Sequence, residues 1–156
     1  HQTYYTLIFK KKLIILFKTR KNQFKGFFHL TFMNNTIIKR KSNLDQFYTK
    51  KEIAETLVDK IFQTLSPINL DQVIFIEPSA GTEAFLTPLK NKKLNFLAYD
   101  IAPANKEIIQ ADFFKLTPPQ NKDYKYVVLG NPPFGKVSNL AVKFFNQAAE
   151  FADYIC

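Results

Sequence analysis

Residues 73–82 read Val73-Ile74-Phe75-Ile76-Glu77-Pro78-Ser79-Ala80-Gly81-Thr82. Four apolar residues in a row, all β-branched or aromatic, predict a short strand buried on both faces rather than a half-exposed one. The run stops at an acid, and Pro78 and Gly81 then mark a turn. At Gly81 the backbone can approach a ligand closely, because no Cβ stands in the way. A short helix is expected at roughly 82–90, with Pro88 limiting it. A strand that is apolar throughout needs cover on both faces, which directs the reading to an α/β class.

On the N-terminal side, Ile53, Ala54, Leu57, Val58, Ile61, Phe62 and Leu65 recur at spacings of three and four. They predict an amphipathic helix over 50–65, with Thr49 and Glu52 as a capping box and Pro67 as its stop. On the C-terminal side three more short apolar runs follow, at 94–99, 108–111 and 126–129. The first two run into Asp100 and Asp112; the third leads into Gly130-Asn131-Pro132-Pro133-Phe134. Ser138 is placed to cap a last helix whose stripe is Leu140, Ala141, Phe144, Phe145, Ala148 and Phe151. The pattern predicts an α/β fold of Rossmann-like type, a mostly parallel sheet of four or five strands with flanking helices. In such sheets ligands bind beyond the carboxyl ends of the strands, so Glu77, Asp100, Asp112 and Asn131 are expected along one edge.

Two spacings carry chemistry. Asp100 lies 19 residues beyond Gly81, where an acid at the end of a second strand accepts hydrogen bonds from ribose hydroxyls. The turn lacks the full G-x-G-x-x-G pattern and any G-K-[ST], so a P-loop is excluded and a nicotinamide oxidoreductase is disfavoured. Alone, this turn equally suits a plain strand–turn–helix corner. Asn131-Pro132-Pro133-Phe134 is sharper. The Asn131 side-chain oxygen and the Pro132 carbonyl are two acceptors held in a proline-stiffened loop, matching the two hydrogens of one NH₂ group. Such hydrogen bonds favour a tetrahedral nitrogen and free its lone pair for attack. Phe134 offers a flat face for a base, worth about 1–3 kcal/mol of stacking.

In these features residues 44–156 resemble the class I S-adenosylmethionine-dependent methyltransferases, specifically the N6-adenine branch with an Asn-Pro-Pro-aromatic motif. The resemblance implies that Phe47, Tyr48 and Thr49 of Asp45-Gln46-Phe47-Tyr48-Thr49 reach the methionine part of S-adenosyl-L-methionine. It implies that Glu77, Pro78, Ala80 and Gly81 form the cofactor turn, and that Asp100, with Ile101 beside it, takes the ribose. Asp112 and Phe113 would lie at the cofactor's adenine. Asn131, Pro132, Pro133 and Phe134 would be catalytic, with Asn131 also near the cofactor. One position departs from the pattern: Glu83 stands where the family has a second glycine. The implied reaction is methyl transfer to the N6 amine of adenine, in DNA rather than RNA, with a restriction or recognition subunit as a partner. Proximity does most of the work in such a transfer, and a duplex target would have to be flipped out. Lys136 suits a phosphate or plain solvent exposure equally. Two rivals remain: an N5 methyltransferase of protein glutamine, and a catalytically silent binding subunit.

Composition sets the outer bounds. One Cys and two His in 156 residues rule out a disulfide framework, a Cys/His zinc site and most His-based triads, so no metal is expected. No apolar run reaches the ~18 residues of a spanning helix, so no membrane partner is expected, and an intracellular location follows, cytoplasmic in a bacterium or virus. The net charge of +9 is uneven: residues 1–44 hold ten Lys/Arg and no acid, the remainder twelve Lys/Arg and thirteen acids. The expectation is that residues 1–32 are a basic segment, either sequence upstream of a start at Met33 or disordered, and that 33–156 is a catalytic domain shortened at its C-terminus. A basic arm for nucleic acid or a membrane surface is the functional alternative for 1–32. Intact-mass measurement on native protein separates the two.

Overall fold

The computed structural model describes residues 12–18 and 24–31 as strands, together with residues 48–117, 119, 121–133 and 139–156. Five parallel strands form the centre of a sheet: β3 (Val73–Glu77), β4 (Phe96–Asp100), β5 (Ile109–Gln110), β6 (Lys125–Val128) and β7 (Tyr154–Ile155). Their spatial order is β7-β6-β3-β4-β5. Numbered from the first parallel strand, the order is 3-2-1-4-5, the doubly wound arrangement that reverses direction beside its first strand. An antiparallel hairpin of β1 (Lys12–Lys18) and β2 (Phe24–Thr31) extends the sheet beyond β7, with Leu16 opposite Ile155 and Phe17 opposite Tyr154.

The alternation along β3 explains why the strand reads as continuously apolar. Val73 and Phe75 pack with Val127 and Leu129 against α1 (Lys51–Leu65). Ile76 packs with Tyr126 and Val128 on the opposite face, against Ala148 of α3 (Asn139–Ala149) and Ala152. Each neighbour in a strand thus serves a different layer. Helix α2 (Leu86–Asn91) joins the first layer through Leu89. Lys92 just after it pairs with Asp59 of α1 at 2.6 Å and lies 4.8 Å from the centroid of the Phe62 ring.

Three local expectations need correction. Helix α1 is capped by Lys50, which has no side-chain acceptor, not by a Thr49–Glu52 box; the Lys50 carbonyl accepts from the N–H groups of Ile53 and Ala54. The helix after the Gly81 turn starts at Leu86 rather than 82. The reason is backbone: Gly81 and Glu83 both have positive φ, 51° and 67°, and right-handed helix cannot begin until the chain leaves that region. Pro88 therefore falls in the first turn of α2, where its missing N–H costs nothing, and does not end the helix. Finally, the third apolar run pairs only over Ile109 and Gln110. The Ser138 cap lies outside the described residues.

The turns at the sheet's switch point

Strands β3 and β6 are neighbours, and the sheet reverses direction between them. Their pairing continues to the end of both, since the Leu129 N–H donates to the Ile76 carbonyl at 2.9 Å. The next residues, Glu77 and Gly130, therefore stand side by side where a doubly wound sheet opens its crevice. Gly130 has φ 154°, a region only glycine occupies readily. A Cβ there would lie 3.5 Å from Glu77 Cγ and 3.6 Å from Pro78 Cδ. The glycine thus seats the Asn131 loop directly against the turn after β3. The sequence reading passed over Gly130; its position between an apolar run and Asn131 was the available signal.

Asp100 holds the other side of the turn. Its Oδ2 accepts from the Gly81 N–H and its Oδ1 from the Ala102 N–H, both at 2.8 Å. The Ala80 N–H donates to the Tyr99 carbonyl at 2.9 Å. Asp100 is thus a structural anchor for the glycine turn, and its remaining lone pairs are what a ligand hydroxyl could use. Ile101 next to it is 68% exposed, an apolar side chain open to a flat ligand. The Tyr48 ring covers Gly81, with Cε1 3.4 Å from where a Cβ would sit. Segment 48–50 is in this way brought to the cofactor-type turn from 33 positions away in the chain. Thr49 is half-buried beside it in sequence.

Glu77 is the one buried charged residue among the described residues, 3% exposed. Its Oε2 finds no hydrogen-bond partner among them, and neither does the buried Oγ of Ser79. Burial pushes the Glu77 carboxyl well above the usual carboxylate range, and the nearby Asp100 carboxylate adds to the rise. Two acids, an orphaned carboxyl oxygen and a hydroxyl oxygen make this corner rich in acceptors.

The structure brings Tyr48, Glu77, Pro78, Gly81, Asp100 and the Gly130–Asn131 step to one edge. Pro132 and Pro133 follow there, partly buried. Other expected site residues are placed differently. Ala80 is 4% exposed and packs with Leu86, Ala98 and Ile108, so its side chain belongs to a small core. Asp112 caps its own one-turn helix, accepting from the Phe114 N–H at 3.0 Å. Phe113 is not on the edge: it is 3% exposed, stacked on Phe144 with ring centroids 5.6 Å apart and an interplanar angle of 6°. An aromatic pair of that kind satisfies the side chain inside the core. Its neighbour Phe114 is the exposed ring, at 37%. Phe47, Phe134 and Lys136 lie outside the described residues.

The fold and edge define an α/β protein with a Rossmann-like sheet and an acceptor-rich corner at its switch point. Comparison with protein-family models, curated proteins and solved structures finds no match to this chain. Among the described residues no helix is long and apolar enough to cross a membrane.

Proposed function

We propose that this chain carries the cofactor and amine-binding core of an S-adenosylmethionine-dependent N6-adenine methyltransferase acting on nucleic acid, DNA before RNA. One observation carries the reading: the Asp100-anchored Gly81 turn and the Gly130–Asn131 step meet at the switch point of a 3-2-1-4-5 sheet.

The residues present fit the cofactor. Gly81 leaves room for close backbone approach, Asp100 keeps free lone pairs for ribose hydroxyls, and exposed Ile101 offers an apolar surface for an adenine ring. Tyr48 at Gly81 extends the site toward the methionine end. The bound cofactor supplies an activated methyl group on a sulfonium. What the chain adds is placement. Asn131 and the Pro132 carbonyl accept from the target amine, hold it facing the donor and remove the freedom of a bimolecular encounter. Phe134 stacks on the target base.

Tritium transfer from labelled S-adenosylmethionine to DNA, RNA and protein amide acceptors tests the reading. Label in adenine supports it. Label in a glutamine amide redirects it to the protein-methylating rival, and cofactor binding without transfer to any acceptor supports the silent subunit. Asn131→Ala is expected to lower transfer by about 10²–10³-fold, the scale of losing one positioned hydrogen bond at a reacting centre. Cofactor affinity measured by calorimetry should stay within a few-fold; an equal loss of binding would remove Asn131 from the amine site.

A further inference from the structure

Glu77 has no task in the fold that explains its burial. It makes no ion pair, and its Oε2 is orphaned among the described residues. A buried acceptor without a donor costs about 1–3 kcal/mol, and a hydrophobic residue at the end of β3 would avoid that. The surroundings are specific. From β4 the Asp100 carboxylate acts on it, from β6 the backbone of Gly130 lies against its Cγ, and on its own turn stand Pro78 and the orphaned Ser79 Oγ. Among the described residues Asp100 is the charged group that bears on it. A site built this way lacks a cation that carries N–H donors. A sulfonium is a cation without such donors; a primary ammonium has three.

We infer that Glu77 couples uptake of the primary ammonium on the amino-acid arm of the ligand to release of one proton. The inference rests on the cofactor reading above and specifies how that site is controlled. In the ligand-free protein the carboxyl is neutral, because burial and Asp100 both oppose its charge. When the ammonium arrives, the O–H bond of Glu77 breaks, the proton leaves to solvent, and the carboxylate accepts an N–H from the ammonium. The pair then carries no net charge, which is the condition for keeping both groups in a buried place. Affinity consequently rises with pH, by up to about tenfold per unit for one proton released. The rise begins above the ordinary carboxylate range and ends where the ligand-free Glu77 itself ionises.

Isothermal titration of the full chain with S-adenosylmethionine, repeated at pH 6.5 in buffers of different ionisation enthalpy, measures the protons released. The expected result is a substantial fraction of one proton per ligand bound. Methylthioadenosine, which lacks the ammonium, should bind with none released. Glu77→Gln should bind S-adenosylmethionine about tenfold more weakly, with no proton release and a flat pH profile. S-adenosylmethionine binding without proton exchange in the wild-type chain overturns the inference and leaves the cofactor reading standing. Failure to bind either ligand overturns both. The buffer series on the wild-type chain decides the matter even if the variant does not fold.

Discussion

Glu83 sits at φ 67°, the left-handed region that costs an L-residue with a Cβ about 1–2 kcal/mol. It is also the position where the resemblance leads one to expect glycine. Its N–H donates to the Ala80 carbonyl at 2.8 Å, and its own carbonyl accepts from Leu86 at 3.1 Å. The turn is thus the same shape a glycine would give, built with a residue that suits it less well. Glu83→Gly is therefore expected to stabilise the chain. The gain is about 1 kcal/mol after subtracting glycine's larger unfolded-state entropy, or roughly 3–5 °C in Tm by calorimetry. An unchanged or lower Tm would show that the turn does not hold this conformation. Gly130 is the converse case. Its φ of 154° makes Gly130→Ala cost about 1–3 kcal/mol through backbone strain, since the new Cβ would meet Glu77 and Pro78 at ordinary contact distance. Asp100 accepts two backbone N–H bonds, so Asp100→Ala would mix loss of ligand affinity with a loosened turn. Asp100→Asn keeps an acceptor and is the cleaner test of the ribose role.

At the scale of elements, α3 is tied to the sheet through aromatic packing. Phe144 stacks on Phe113 and lies 4.7 Å from Phe114, centroid to centroid. Ala148 and Ala152 then allow α3 and the segment after it to approach Val128 and Ile76 closely. Phe144→Ala should cost about 3 kcal/mol, the low end for a large-to-small aromatic change because the ring is only partly buried. Urea denaturation followed by circular dichroism measures it, and a loss under 1 kcal/mol would mean that α3 does not depend on this contact. The same packing explains why Phe113 was misjudged. An Asp-Phe pair after a short apolar run looks alike whether the ring lines a crevice or fills a core. Only the position of Phe144, 31 residues later, settles which. The Thr49–Glu52 pair failed for a local reason: the chain enters helical geometry one residue later, at Lys51, so the pair is out of register with the cap.

For the whole molecule, the two ends of the charge range behave differently with pH. Glu77 has a folded-state pKa raised by burial and by Asp100. The folded chain therefore binds more protons at this site than the unfolded chain does. By linkage its contribution is fully present below the unfolded value near 4.5 and is lost as pH rises through the folded value. Glu77→Gln should remove that decline. Measured between pH 4.5 and 8, the wild-type Tm is expected to fall relative to the variant as pH increases. A constant difference between the two would show that Glu77 ionises normally in the fold.

Much of the architecture was legible along the chain. An uninterrupted β-branched and aromatic run, stripes at spacings of three and four, and acids or Asn after each run follow from local sterics and burial, which depend on near neighbours in sequence. Strand order does not. That β6 rather than β4 alone flanks β3, that Tyr48 comes to rest on Gly81, and that Gly130 lets Glu77 and the Asn131 loop touch are decided by how helices pack on two faces of a twisted sheet. Burial is likewise a property of the assembled layers: an acid at a strand end is ordinary in sequence, and only the closed packing around Glu77 leaves it dry, unpaired and ready to exchange its proton.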